Sequence, residues 1–166
     1  MHNELTQKDL QMMRQELDYR RVQLRPQLLE AVKEARAFGD LSENFEYKAA
    51  KQEKNRNESR IRFLENMIRT AVVIADGGTA DTVGLYDRVT VLLEEDGETE
   101  TYQIVTTMRQ DALHGLISRE SPVGRALLGR RAGERIHIEA GGGGYDMVIQ
   151  RIEKTADDGS IPLNSF

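Results

Sequence analysis

The chain has no cysteine, and aromatic residues make up only 5% of its 166 residues. The absence of cysteine excludes disulfide bonds and cysteine-based zinc sites, and it fits a reducing compartment. We also find no signal peptide and no apolar run long enough to cross a membrane. We therefore expect a cytoplasmic protein without a membrane partner.

Histidine is also scarce, and its three copies indicate neither a metal centre nor a catalytic triad. His2, His114 and His137 are far apart in sequence and lack metal-ligand spacing. No serine, histidine and aspartate stand at the spacing of a recognisable nucleophilic site. The glycine run 141–144 lacks the Lys-Ser/Thr ending and the following helix of a phosphate-binding loop, so we interpret it as a hairpin loop. The sequence shows no self-contained active site.

Charge is distributed unevenly along the chain. With 39% hydrophobic and 31% charged residues, the chain suits one or two small domains. Residues 1–70 carry 14 Lys/Arg against 12 Asp/Glu, whereas residues 71–166 carry 9 against 16. The charges of residues 33–56 alternate in sign, which is typical of a solvated coiled-coil surface and also occurs in surfaces that contact nucleic acid. Charge alone leaves both interpretations open.

Two helical patterns fill residues 1–75 and predict a coiled-coil hairpin. Because the connection between them is short, the helices should be antiparallel neighbours, and about 30 residues per helix give an arm of about 45 Å. Pro26 lies inside the first pattern and predicts a kink or a local break. Lys54 and Asn57 interrupt the second pattern. The first helix contributes Leu10, Leu17, Leu24, Ala31 and Phe38, with Met13, Leu28 and Ala35 beside them, and the second contributes Tyr47, Ile61, Ile68, Ala50, Leu64 and Ala71.

The turn between the helices, residues 39–46, is rich in acids. Gly39 fits a helix stop, and either Asp40 or Ser42 could cap the next helix. Asp40 and Glu43 have the spacing of a capping box, which would explain them by local structure alone. The density of acids, with Glu46 as the third, exceeds what one helix start needs. The pair could instead share a weakly held Mg²⁺ with water and phosphate.

The second half of the chain reads as a small antiparallel α+β domain over residues 84–154, after a linker at 76–83. Strands are predicted at 89–93, 99–105, 113–118, 135–139 and 145–152, with a hairpin turn at 95–97. Between them, 121–129 reads as a short helix that is capped by Ser121, begins with Pro122 and ends at Gly129. Leu127 and Leu128 are expected in the core. The tail 155–166 shows no period and favours disorder.

Two separate stretches resemble one protein family. Residues 36–50, Arg-Ala-Phe-Gly-Asp-Leu-Ser-Glu-Asn-Phe-Glu-Tyr-Lys-Ala-Ala, are similar to the tip of the Gre transcript cleavage factors, the GreA type in particular. Residues 117–118 and 121–129 resemble the C-terminal signature of that family, and Arg25-Pro26 resembles its first-helix pattern. The resemblance covers residues 5–153 in order. It implies a coiled-coil arm that enters the secondary channel of bacterial RNA polymerase and an FKBP-like domain that docks at the rim of the channel.

The resemblance also implies roles for individual residues. Asp40 and Glu43 would help to hold a second Mg²⁺ in the polymerase active site, where RNA extruded in a backtracked, arrested complex is cleaved. The protein would bind no metal tightly alone and would be inert without the polymerase. A monomer is the simplest form for entry into a channel. In addition to the two acids, the resemblance implies RNA contacts by the neighbouring basic residues and polymerase docking by the C-terminal domain. The residues are Arg36, Lys48 and Lys51 for RNA contact, Ser42, Asn44 and Tyr47 for support of the tip, and Ser121, Pro122 and Arg125 for docking.

The sequence departs from the pattern of the Gre family at several positions, and other functions also have to be considered. Thr106-Thr107 replaces glycine found in many relatives, 141–144 is richer in glycine than usual, and the tail after Lys154 has no counterpart in the family pattern. These departures leave open a diverged paralogue with altered affinity for the polymerase. Because some Gre relatives act that way, the alternative function is a non-catalytic channel occupant that inhibits or modulates the polymerase, although the intact Asp40/Glu43 pair argues against it. The FKBP-like shape also suggests a prolyl isomerase, but the second half offers few aromatic residues to line a proline pocket.

Overall fold

The computed structural model describes residues 3–39, 44–75 and 77–165, which divide between two compact units. Asn3 and residues 9–72 belong to the first unit, and residues 4–8 and 73–165 belong to the second. Strands β1 (Asn3–Leu5) and β2 (Ala71–Val73) pair as a two-stranded sheet. No helix in the described residues is long and apolar enough to cross a lipid bilayer.

The first unit is a helical hairpin. Helix α1 (Gln7–Tyr19) leads through a π-helical turn at Arg20–Leu24 into α2 (Arg25–Arg36), and α3 (Phe45–Thr70) returns along them. Side-chain hydrogen bonds join Arg60 to Glu16 and Arg25 to Glu58, and the Asn44 side chain donates to the carbonyl of Ala35. As the chain advances through α1 and α2, its partners therefore lie closer to the start of α3. The predicted antiparallel hairpin is confirmed.

The seam between the helices is apolar where the heptad pattern predicted it. Leu10, Leu17, Ile61 and Leu64 are all buried. Phe38 is the exception, because its side chain is 75% exposed. Its assignment to the stripe is wrong for a simple reason: α2 ends at Arg36, so the heptad phase no longer sets the direction of a side chain at position 38.

A buried polar layer interrupts the seam near its middle. The guanidinium of Arg60, which is only 8% exposed, donates to both carboxylate oxygens of Glu16 at 2.7 and 3.1 Å. Arg20 donates to Glu16 at 2.7 Å and to the buried Asn57 at 2.9 Å. Burial raises the pKa of Glu16, but the hydrogen bonds and charges of Arg60 and Arg20 outweigh burial and hold that pKa below its ordinary value. Asn57, which looked like a defect in the heptad pattern, is a satisfied member of this layer.

The irregularity expected at Pro26 is a widened turn and not a break. The peptide N–H of Arg25 bonds to the carbonyl of Arg20, five residues earlier, which is the π-helical pattern. Pro26 follows immediately at the start of α2. A proline cannot donate to the preceding turn, and its ring crowds the carbonyl one turn back. The chain stays helical because the turn before the proline takes in one more residue.

The second unit is built on a five-stranded sheet in the order β5-β4-β3-β7-β6. Its core faces carry Val89, Val91, Ile104, Met147 and Ile149, which are fully buried. Short loops at 94–97 and 139–144 connect two antiparallel pairs, as predicted for Glu95-Asp96-Gly97 and for the glycine run. The strands are β3 (Arg88–Leu93), β4 (Glu98–Val105), β5 (Leu116–Ser118), β6 (Arg135–Ile138) and β7 (Tyr145–Glu153).

One strand pairing departs from the predicted antiparallel sheet. Strand β5 runs parallel to β4, with Ile104 opposite Ile117, so the sheet is mixed. The connection 106–115 contains the 3₁₀ turns Thr107–Arg109 and Ala112–His114. These turns bring the chain back, so that β5 begins beside Gln103 of β4. The α+β class is confirmed. The predicted strand 113–118 is shorter than expected, because its first residues form part of the second 3₁₀ turn.

The short helix between β5 and β6 is as predicted, and we call it α4 (Pro122–Leu127). Ser121 is its N-cap and Pro122 its first residue, and Gly129 has a φ of +80° beyond its end. Leu127 is fully buried, and Leu128 packs against the same core from a partly buried position.

The tail differs from the expectation of disorder. The described residues 155–165 pack in an extended conformation against the rest of the second unit. Their burial alternates: residues 155, 157, 159, 161 and 163 are partly buried, and residues 156, 158, 160 and 162 are exposed. Ile161 packs against the hydrophobic core. The alternation is that of a strand, although residues 155–165 belong to no sheet.

Candidate functional site

The described part of the arm end is organised by Asn44. Its side-chain oxygen accepts a hydrogen bond from the peptide N–H of Tyr47 at 3.0 Å, which makes it the N-cap of α3. Its side-chain nitrogen donates to the carbonyl of Ala35 at 2.7 Å. One side chain therefore closes the start of α3 and ties it to the last turn of α2.

This cap corrects the prediction that Asp40 or Ser42 caps the second helix. Because α3 begins at Phe45, the first-turn position that a capping box would use belongs to Tyr47 and not to Glu43. Asp40, Ser42 and Glu43 themselves lie outside the described residues. Their proposed roles in metal binding and tip support therefore stay predictions.

A basic surface surrounds Tyr47 on the described side of the arm end. The guanidinium of Arg36 donates to the Tyr47 hydroxyl at 3.2 Å and lies 5.3 Å from its ring centroid. The hydrogen bond from Arg36, together with the charges of Arg36, Lys51 and Lys54, lowers the pKa of Tyr47 from its ordinary value. The structure thus brings the predicted Arg36, Lys51 and Tyr47 together. A phosphate group would meet several cations here.

Two exposed phenylalanines also stand at the arm end, and the heptad pattern did not predict their exposure. Phe38 and Phe45 are 75% and 78% exposed. The ammonium group of Lys48, a predicted RNA contact, lies 5.6 Å from the centroid of the Phe45 ring. The signal in the sequence is that Phe38 directly precedes the acidic turn 39–46 and Phe45 lies within it, where a coiled coil needs no apolar side chain.

The second candidate site is the start of α4. The Ser121 hydroxyl accepts from the peptide N–H of Gly124 at 3.0 Å and donates to the carbonyl of Ser118 at 2.7 Å. Gly124 is required by this packing, since a Cβ there would lie 2.1 Å from the Ser118 carbonyl oxygen. Pro122 and Arg125 are exposed, and the peptide N–H of Arg125 bonds back to the carbonyl of Ser121 at 2.9 Å. Ser121 therefore has a structural role, whereas Pro122 and Arg125 are available to a partner.

The two described histidines, His114 and His137, each pair with an acid. His114 contacts Asp111, and His137 contacts Asp146 at 2.7 Å; the hydrogen bond to the Asp146 carboxylate raises the pKa of His137 above its ordinary value. Within residues 3–39, 44–75 and 77–165, no group of three or more histidines and acids is placed to hold a metal ion. His2 lies outside the described residues.

Comparison with known families decides what these two units are. The family model described as "Transcription elongation factor, N-terminal" matches residues 3–73, and the model described as "Transcription elongation factor, GreA/GreB, C-term" matches residues 78–154. The chain belongs to the GreA/GreB family. The two matches divide the chain much as the two compact units do, with the hairpin in the first and the five-stranded sheet in the second. The resemblance read from the tip and from the α4 signature is confirmed.

Individual relatives agree with this assignment. Transcription elongation factor GreA of Geobacillus kaustophilus is 46% identical over 147 residues, which cover 88% of this chain and 92% of that protein. GreA of Bacillus subtilis is 42% identical over 149 residues, which cover 90% of this chain and 94% of that protein. The chain is thus similar to GreA-type members of the GreA/GreB family over nearly their whole length.

Solved structures of related proteins are also similar. A structure described as the transcription factor Gfh1 is 28% identical, covers 92% of this chain and 97% of its own, and gives a TM-score of 0.46. The GreA factor homolog 1 of Thermus thermophilus is 28% identical, covers 93% of this chain and 100% of its own, and gives a TM-score of 0.43.

Proposed function

We propose that this transcription elongation factor binds RNA polymerase with its helical hairpin in the secondary channel and stimulates cleavage of the nascent RNA 3′ end in backtracked, arrested complexes. The observation that carries the proposal is the construction of the arm end. Helix α2 ends at Arg36, α3 begins at Phe45 under its own cap, and the sequence places Asp40 and Glu43 in the connection between them. The helix start does not require the two acids.

The chemistry of the two acids fits Mg²⁺. Carboxylate oxygens are the ligands that this ion prefers, and a single pair holds it weakly, so the ion would be shared with ligands of the polymerase. When bound, the second ion would supply an activated water and balance charge on the scissile phosphate. Asp40 and Glu43 would hold that ion, and the polymerase would own the active site. By this proposal the chain is no enzyme by itself.

The basic surface supports the same function. Arg36, Lys48 and Lys51 are exposed on the described side of the arm end, where they can neutralise phosphates of the extruded RNA. Contacts of this kind position a strand without reading its sequence. Asn44 and Tyr47 support the arrangement, because Asn44 fixes the helix start and the Tyr47 hydroxyl holds the guanidinium of Arg36.

We further propose that the segment 118–125, called the docking segment below, contacts the rim of the channel. It carries the exposed Pro122 and Arg125 on a helix start that Ser121 fixes. The protein would act as a monomer, in the cytoplasm, where bacterial RNA polymerase works.

The test is an assay with backtracked RNA polymerase complexes that contain labelled RNA. We expect Asp40→Asn and Glu43→Gln to abolish the release of 3′ fragments and to leave polymerase binding intact. Glu46→Gln is the matched control, because Glu46 is an exposed acid in the first turn of α3 and should be dispensable for cleavage. Unchanged cleavage by the first two variants would refute the metal role. If the unmodified protein binds but blocks cleavage, the chain is instead a non-catalytic inhibitor of the polymerase.

A further inference from the structure

The tail 155–165 is anchored to the second unit by one buried ion pair. Arg109, which is 0% exposed, donates to the two carboxylate oxygens of Asp157 at 2.8 and 2.7 Å, and the side chain of Asp157 is 2% exposed. The same guanidinium donates to the carbonyl of Ile161 at 2.7 Å and to the Tyr86 hydroxyl at 3.1 Å. Bidentate arginine–carboxylate pairs of this kind fix orientation as well as distance. The tail is therefore held in one course along the domain.

The last described part of the tail is attached to the 3₁₀ turn Thr107–Arg109. The peptide N–H of Asn164 donates to the carbonyl of Met108 at 2.7 Å, and its side-chain amide donates to the carbonyl of Thr107 at 2.8 Å. Two consecutive backbone acceptors of the turn are thus satisfied by one residue of the tail. Together with Arg109, every residue of this turn is bonded to the tail.

The same turn also contacts the docking segment. The Thr107 hydroxyl lies 3.1 Å from the hydroxyl of Ser118 and 3.3 Å from a carboxylate oxygen of Glu120. The Ser118 hydroxyl in turn accepts from the peptide N–H of Glu120 at 3.1 Å, and the Ser118 carbonyl accepts from Ser121. A continuous series of hydrogen bonds therefore leads from Asn164 through the turn to the cap of α4.

We propose that residues 155–165 position the docking segment for RNA polymerase by holding the turn Thr107–Arg109 against it. This inference rests on the proposed docking role of residues 118–125. It concerns a feature beyond the C-terminal family match, which ends at residue 154. Asn164 and Asp157 are positioning residues in this proposal and need not touch the polymerase.

The experiment compares polymerase affinity for full-length variants. Asn164→Ala removes the side-chain bond to Thr107, and Thr107→Val removes the hydroxyl that contacts Ser118 and Glu120. We expect each to weaken binding by up to about tenfold, equivalent to about 1.4 kcal/mol. Because both act on one series of contacts, the double variant should be weakened much less than the product of the single effects. Multiplicative effects would overturn the proposal.

Two controls separate positioning from direct contact and from general instability. Asp158→Asn changes an exposed neighbour on the outer side of the tail and should bind normally; a loss equal to that of Asn164→Ala would mean that the tail itself touches the polymerase, which contradicts a positioning role. Hydrogen exchange of Asn164→Ala should speed up at the amides of Glu120 and Ser121. It should stay unchanged at Ile149, whose amide bonds to Glu134 elsewhere in the domain.

The outcome also distinguishes this inference from the function on which it rests. If Arg125→Ala binds the polymerase with full affinity, the docking assignment fails. If Arg125→Ala weakens binding and Asn164→Ala does not, docking stands and the role of the tail is rejected.

Discussion

The side-chain amide of Asn44 donates a hydrogen bond of 2.7 Å to the carbonyl of Ala35, while its oxygen caps α3. Asn44→Ala removes both interactions, and we expect it to lower the free energy of unfolding by about 1–2 kcal/mol. Asn44→Asp keeps a cap acceptor and loses only the donor to Ala35, so it should lose less. Chemical denaturation followed by circular dichroism measures the difference. If both variants lost the same free energy of unfolding, the hydrogen bond from the Tyr47 N–H to the Asn44 side chain would add nothing to the bond between Asn44 and the Ala35 carbonyl.

The buried layer of the hairpin makes Arg60 a sensitive position. Arg60→Met deprives Glu16 of a bidentate partner, and we expect a loss of about 2 kcal/mol in the free energy of unfolding, because a partly buried carboxylate is left with Arg20 alone. Arg56→Met is the matched control, since Arg56 pairs with Glu53 where both side chains are more than half exposed. Its effect should be within about 0.5 kcal/mol. If both variants lost a similar free energy of unfolding, burial would not be what makes the Arg60–Glu16 pair important.

The Arg109–Asp157 pair predicts that the free energy of unfolding decreases at acidic pH. Burial raises the pKa of Asp157, but hydrogen bonds from Arg109 and from the peptide N–H of Gly159 outweigh burial, so the folded-state pKa lies below the ordinary value of 3.8. The stabilisation is present above the ordinary pKa of 3.8 and is lost as the pH falls through the folded-state pKa. Asp157→Asn should cost about 3 kcal/mol at pH 7. Its deficit relative to the unmodified protein should shrink as the pH is lowered below 3.8, when the free energy of unfolding is measured by denaturation at a series of pH values.

Packing beneath α4 predicts that Gly124 tolerates no side chain. A Cβ at this position would meet the Ser118 carbonyl oxygen at 2.1 Å, so Gly124→Ala should destabilise the protein by about 1–3 kcal/mol. Gly141→Ala is the control, because nothing lies within 4 Å of its Cβ position. We expect its effect on the melting temperature to be negligible. A neutral Gly124→Ala variant would show that the start of α4 is free to shift.

Much of the fold follows from local patterns in the sequence. The heptads predicted the hairpin, Glu95-Asp96-Gly97 predicted a β-turn, and Ser121-Pro122 predicted the start of α4, because each of these signals acts within a few residues. The N-cap was misassigned for the opposite reason. Asp, Ser and Asn are comparable N-caps by residue type, so type alone does not select among Asp40, Ser42 and Asn44. The choice of Asn44 depends on the carbonyl of Ala35 across the turn.

The tail could not be predicted from its own composition. Residues 155–165 contain glycine, serine, aspartate and proline, which favour turns and loops. Their order comes from Arg109, which lies 48 residues from Asp157 in the sequence and is buried only when the sheet has formed. The candidate site was predicted only in part. Family resemblance named Arg36 and Tyr47, but only the structure shows that their side chains contact each other.

The π-helical turn at Arg20–Leu24 affects how the arm can change its length during evolution. A turn of this kind takes in one residue more than an α-helical turn, so losing one residue there would restore ordinary α-helical hydrogen bonding and keep the two flanking helices in phase. The same loss elsewhere in α1 or α2 would rotate every later side chain by about 100° around the helix axis and turn the apolar seam away from α3. Single-residue deletions among homologues should therefore accumulate at this turn.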